Sequence, residues 1–322
     1  MHTINVSTVQ EVLEQFRQDV VAALRSEGFR PPAEADTPGN HYQAVAAWVR
    51  LQHRSVTKAP RLVRRSNELQ LRSVEPAVQS ALDGIRAEFE RGDDLTHRLS
   101  RQFYKAGFND FLFNSFGIQH IHLGATGAGI DSTNQHVMSG GADALLFVMI
   151  KTGEVYFLDV LDHHVFDSPE MSKSLVQIVL RNWPDLLKPC ELPGVVRVDM
   201  TFEDAFRKQK AGFTTAFEVD GKFFIRDGQV LDGKVNDGKR ASCTSMVVVA
   251  ETNRILNGIS RLVEFVEREA STLSELAESR IGTRPTEFKL MVVRAGDVVV
   301  VREQNAAIEF FHDGKNCGLL PR

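Results

Sequence analysis

The sequence predicts an α+β fold. Three observations carry that expectation. Apolar residues recur at helical spacing through roughly the first 115 positions. Between 118 and 161 the pattern changes to short alternating or wholly apolar β-rich runs that carry histidines. A long helical stripe around 244–278 is then followed by strands within 287–312. The expected organisation is a helical region at 1–115, a histidine-bearing α+β domain with a small antiparallel sheet at 116–200, and a C-terminal region at 201–322 with a long helix and a β-hairpin.

The elements follow in order. Thr8 and Glu11 form a capping-box pair, and Val12, Leu13, Phe16, Val20 and Leu24 continue at helical spacing until Gly28 and Pro31-Pro32 stop the helix. His41 to Gln52, containing Trp48, is a second short helix. A basic stretch follows, with Arg50, Arg54, Lys58, Arg61, Arg64, Arg65 and Arg72 against a single acid, Glu68. Pro76 suits the first turn of a helix that runs to Arg91. Leu95 to Phe116 is expected to be mostly helical and to end at Gly117. Ile118 to Leu123 alternates like a strand. Asp143 to Ile150 and Val155 to Leu161 are strands joined by a short Lys-Thr-Gly-Glu connection. Ser168-Pro169 opens a helix that Pro184 ends, and Thr201 to Lys210 forms a short charged one. Small strands flank the Asp220-Gly221 and Asp227-Gly228 turns. Thr244 to Glu278 is expected to be one helix, with Ile255, Ile259, Leu262, Val263 and Val266 as its apolar stripe.

Composition narrows the function classes. The net charge of −4 offers no global attraction for nucleic acid or an anionic membrane. No apolar run approaches the ~18–20 residues that span a bilayer. Three cysteines (Cys190, Cys243 and Cys317) stand far apart, without metal-ligand spacing, as expected in a reducing cytoplasm. The Gly124–Gly141 segment lacks the Gly-Lys-Ser/Thr ending of a phosphate loop, and no cofactor is expected.

The candidate site comes from histidine clustering. Five of the ten histidines, His120, His122, His136, His163 and His164, fall within one short segment. Residues two apart on a strand share a face, so His120 and His122 project together. His163 and His164 end a second strand, so one of them is expected on the same side. Asp159 and Asp162 lie near that end, and Asp143 opens the hairpin partner. Imidazoles titrate near neutrality and can both take and give protons, as RNA phosphodiester cleavage requires. The same set could ligate a metal, although no cysteine or glutamate completes a familiar ligand pattern.

The runs Phe-Gly-Ile-Gln-His-Ile-His-Leu-Gly, Asp-Ala-Leu-Leu-Phe-Val-Met-Ile and Val-Tyr-Phe-Leu-Asp-Val-Leu-Asp-His-His-Val-Phe resemble the catalytic half of RelE/YafQ-type mRNA interferases. The resemblance spans residues 117–168. It implies catalytic positions at His120 or His122, at Asp143, and at His163 or His164. Residues 109–187 also resemble a group of uncharacterised bacterial proteins with a Gly-Ile-His-His-Leu-His-Leu type motif. Interferases are small and basic, whereas residues 111–200 hold 5 Lys/Arg against 10 Asp/Glu. Phosphate affinity must then come from elsewhere, with Arg61, Arg64 and Arg65 as the candidates.

The resulting expectation is a cytoplasmic, metal-independent endoribonuclease of bacterial toxin or phage-defence type. RNA is its expected substrate, and an antitoxin or a second copy of the chain is a partner through the C-terminal helix. The alternatives are a metal-dependent hydrolase using the same histidines as ligands, and a non-catalytic interaction protein.

Overall fold

A computed structural model of the 322-residue chain describes residues 4–108, 110–124, 144–192, 200–210, 216–224, 230–232, 242–244, 246–282, 284–285, 287–295, 298–303, 309–312 and 317–319. The fold is α+β. In chain order the elements begin with strand β1 (Asn5–Val6), helix α1 (Val9–Ser26), α2 (His41–Arg54), β2 (Leu62–Arg65), α3 (Asn67–Leu71), α4 (Pro76–Arg91) and α5 (Phe111–Phe116). They continue with β3 (Ile118–His122), β4 (Leu145–Ile150), β5 (Glu154–Leu161), α6 (Pro169–Asn182), α7 (Phe202–Lys210), β6 (Phe217–Val219), β7 (Lys222–Phe224), β8 (Val230–Asp232) and β9 (Ser242–Thr244). The last are α8 (Met246–Arg268), α9 (Ala270–Ile281), β10 (Glu287–Phe288), β11 (Leu290–Ala295), β12 (Val298–Glu303), β13 (Glu309–His312) and β14 (Cys317–Leu319).

The chain divides into two units, one of residues 1–52, 104–107 and 248–322, the other of residues 53–103 and 108–247. These units do not follow the sequence-based cuts at 115 and 200. Long-range pairing explains the difference. In the first unit β1 pairs in parallel with β10, matching Asn5 to Glu287, and so joins both ends of the chain. In the second, β2 pairs in parallel with β5, drawing the basic stretch into the histidine-bearing sheet.

The second unit is built on a four-stranded sheet in the order β2-β5-β4-β3. β3, β4 and β5 form the expected antiparallel set, in which His120 faces Phe147 and His122 faces Leu145 across the β3–β4 ladder. Between β4 and β5 the register shifts at Phe147/Val148, leaving Leu158 as an extra residue in β5. One face packs Ile118, Phe147, Met149 and Leu158 with Leu175, Val176 and Val179 of α6. α6 starts as its sequence suggests, with the Ser168 hydroxyl accepting from the Met171 N–H (3.1 Å) and Pro169 in the first turn. On β5, Phe157 meets the Phe89 ring of α4 at 5.8 Å, edge to face. β2 was not expected, because residues 1–115 read as helical throughout. Its four residues are too few to establish a strand period, and only the partner β5 makes them one.

The first unit contains α1, whose capping box forms as expected, with the Thr8 side chain accepting from the Glu11 N–H and the Glu11 carboxylate accepting from the Thr8 N–H. The long C-terminal helix is two helices, α8 and α9, with Glu269 between them. Beyond them β11, β12, β13 and β14 pair in order as antiparallel strands, β11 and β12 being the expected hairpin pair, while its expected Gly296-Asp297 turn lies outside the described residues. Ile255, Ile259, Leu262, Val263 and Val266 are all buried within the chain, so the stripe of α8 offers no open apolar face for assembly. Among the described residues no helix is long and apolar enough to cross a membrane.

Gly92 ends α4 in the left-handed conformation (φ 77°) and lets the 59–61 segment close against that end. A Cβ there would stand 2.5 Å from the Pro60 nitrogen and 2.6 Å from the Ala59 carbonyl carbon. Gly39 has a similar φ (82°) with nothing within 4 Å of its would-be Cβ. Gly39→Ala is therefore expected to cost about 1 kcal/mol, and Gly92→Ala to exceed it by about 1–3 kcal/mol because backbone must move. Urea unfolding of both variants checks this, and equal costs would contradict the close approach.

Candidate functional site

The cluster is assembled by β3 and the turn after β5. β3 is an edge strand, and alternation places His120 and His122 on one face with ring centroids 5.7 Å apart. The chain leaves β5 through Asp162, whose carboxylate accepts from the His164 N–H (2.9 Å) and starts a 3-10 turn over His163–Phe166. That turn brings the His163 ring to 5.6 Å from His122. His163 and His164 were expected at the end of a strand. The turn instead separates their directions, and His163 joins the cluster while the exposed His164 makes no ring contact with it among the described residues. Phe166 packs on His120 at 4.9 Å and lies 6.2 Å from His163, forming an apolar wall that no sequence pattern marks.

Burial governs the electrostatics. It pushes the His120 imidazole down to about 4, and the positive charge of His163 adds to the effect. His122 is only 8 % exposed, and burial, followed by His120 and His163, lowers it to about 4 as well. Both rings are neutral at neutral pH. Asp159, the candidate carboxylate, is 4 % exposed and receives a fork of hydrogen bonds from Arg72 together with the Val160 N–H. A buried carboxylate on a central strand needs such a partner, so it serves the sheet and not the imidazoles. Asp143 and His136 lie outside the described residues.

His122 Nε2 is buried and has no hydrogen-bond partner among the described residues. An unpartnered polar atom of this kind is costly to bury, and substrate-binding sites retain such atoms. Among the described residues, no three His, Cys, Asp or Glu side chains are arranged to hold a metal ion.

The arginines of the basic stretch do not share one exposed face. The exposed Arg64 pairs with Glu154 at 3.1 Å across β2 and β5, and Arg72 is committed to Asp159. The half-buried Arg65 has a buried Nε without a partner. Arg61 is buried, donating from Nη1 to the carbonyls of Thr57 and Ala59 (2.9 and 3.0 Å) and from Nη2 to Thr57 Oγ1 (2.6 Å). Successive residues of a strand face opposite sides, so β2 separates Arg64 from Arg65.

His120 also lines a narrow pocket with Arg54, Asp110, Gln119 and the rings of Phe103 and Phe108. The Arg54 guanidinium carbon lies 6.0 and 5.8 Å from those two ring centroids. Asp110 caps α5 by accepting from the Phe113 N–H (3.1 Å). Burial raises its carboxyl above the ordinary range, opposed by that bond and by the charge of Arg54. Gln119 donates to the Arg54 carbonyl (3.3 Å), while its buried Oε1 has no partner. Of these residues, only His120 and Arg54 were singled out from sequence. Asp110 was legible only as a cap ahead of the apolar 111–116 run.

No protein-family model, curated protein or solved structure matches the chain.

The lowered imidazoles make a stability prediction. Above the ordinary value of 6.5, His122 is neutral in both the folded and the unfolded chain. As pH falls, the unfolded chain binds a proton that the folded site refuses until about 4, so stability drops across that window. The loss for His122 is on the order of 3 kcal/mol. Urea unfolding at about pH 7 and about pH 4.5 is expected to show a smaller difference in His122→Asn than in the parent protein. Equal differences would mean that the ring is freely hydrated.

Proposed function

We propose that the histidine cluster is the acid/base centre of a metal-independent endoribonuclease. The observation that carries this reading is the convergence of three imidazoles at a sheet edge, one of them presenting a buried, unpartnered Nε2. A neutral imidazole is a proton acceptor at physiological pH. His122 takes the proton of the ribose 2′-hydroxyl as its oxygen attacks phosphorus. The bond from phosphorus to the 5′-oxygen breaks, and the exposed His163 gives that oxygen a proton. His120, held under Phe166, positions both rings. The products are a 2′,3′-cyclic phosphate and a 5′-hydroxyl. The resemblance of residues 117–168 to mRNA interferases supports RNA as substrate, and the toxin or phage-defence setting and the cytoplasmic location belong to the same proposal.

Purified protein is expected to cleave single-stranded RNA with chelator present, leaving cyclic phosphate ends. His122→Ala or His163→Ala is expected to lower the rate by roughly 10²–10⁴-fold, as for one positioned acid or base. The acid limb of the rate–pH curve is expected near pH 4, where His122 takes up its proton. A rate abolished by chelator and restored by zinc or manganese would transfer the site to the metal-dependent alternative, and absence of any cleavage would overturn the catalytic reading.

A further inference from the structure

A second cleft shares Gln119 with the pocket that His120 lines. It measures about 390 Å³ and is lined by His53, Thr57, Arg61, Gln119, Lys151 and Thr152, among others, with no Asp or Glu in its wall. Arg61 is 7 % exposed, and among the described residues its side-chain hydrogen bonds go to neutral oxygens of Thr57 and Ala59. Its buried Nε has no partner among them. The neighbouring Arg64 and Arg72 each pair with a carboxylate, whereas Arg61 pairs with none among the described residues. A guanidinium stays charged at all accessible pH, and burying it without a counter-charge is unfavourable. Carbonyl oxygens offset only part of that charge, so the floor of the cleft remains positive.

We infer that this cleft is a phosphoryl-binding subsite, with Arg61 at its floor and Lys151 at its rim, for the sugar-phosphate part of a nucleotide. Lys151 and Thr152 belong to the exposed β4–β5 turn, which lets the wall of the cleft accept a doubly charged group without strain in the sheet. Arg61 suits a tetrahedral oxyanion through its fork of donors. Gln119 adds the sugar preference. Its Oε1 is a buried acceptor without a partner, suited to a hydroxyl next to the phosphate, and the residue lines both this cleft and the His120 pocket. The inference holds whether or not the histidines cleave RNA, because it concerns binding alone.

The test is calorimetric titration of the full-length protein with inorganic phosphate at constant ionic strength set with chloride. Saturable binding is expected in the parent protein, and Lys151→Glu is expected to weaken it about tenfold or more by reversing a rim charge. Arg61→Gln is expected to abolish it. Because that variant removes a buried side chain, circular dichroism accompanies it, and the exposed Lys151→Glu decides the matter if Arg61→Gln fails to fold. Arg64→Glu, outside the cleft and already paired, is expected to leave phosphate binding unchanged. A ribonucleoside monophosphate binding more tightly than inorganic phosphate supports the role of Gln119. A non-cleavable deoxy-substituted oligonucleotide binding more tightly still assigns the site to a nucleic-acid backbone, and the reverse order assigns it to a free nucleotide. No saturable binding in the parent, or binding unchanged by both Lys151→Glu and Arg61→Gln, overturns the inference and leaves Arg61 as a clasp for the Thr57 and Ala59 carbonyls.

Discussion

The central β4–β5 hairpin is apolar on both faces, and the second unit follows from the need to cover it. Leu145 to Met149 and Val155 to Asp159 are all buried. Water must be excluded from two sides at once, so α6 covers one face and α4 approaches the other. Side chains that need water or a polar partner are then confined to the edge strands. β3 carries Gln119, His120 and His122, and β2 carries Arg64 and Arg65. The histidine site is at a sheet edge because the centre of the sheet has no room for it.

Asp159 is the exception that tests this constraint. It is buried on a central strand, beside the extra residue Leu158, and it survives there through Arg72. That pair ties the end of the 62–72 segment to β5, while the parallel β2–β5 ladder ties its beginning. Two arginines of the basic stretch are thereby spent on holding the sheet together. Arg72 meets a buried carboxylate and Arg64 an exposed one, so the charge of each is balanced within the second unit.

The histidine cluster and the Arg61 cleft have the same physical character. Each holds a buried polar group that the described chain leaves without a complete set of partners. In the cluster this is a neutral imidazole whose proton affinity is reduced by burial. In the cleft it is a cation whose charge is met only by neutral oxygens. Gln119, whose own Oε1 is unpartnered, lines the cleft and the pocket that reaches His120.

By itself the sequence determined the local elements. The Thr8–Glu11 capping box, the Ser168-Pro169 start of α6, the left-handed Gly117 after α5 and the alternation that puts His120 beside His122 are all short-range effects of side chain and backbone. They are decided within a few residues, so the pattern expressed them and the α+β class with them. Contacts between distant segments decided the rest. β2 is a strand because β5 pairs with it, Asp159 is unavailable to the histidines because Arg72 reaches it first, and His163 is chosen over His164 by a turn that Asp162 caps. The downward shift of the imidazoles also belongs here, since burial is a property of the packed chain. A pairing or a desolvation involves residues from separate segments, so no window along the sequence contains both of its parts.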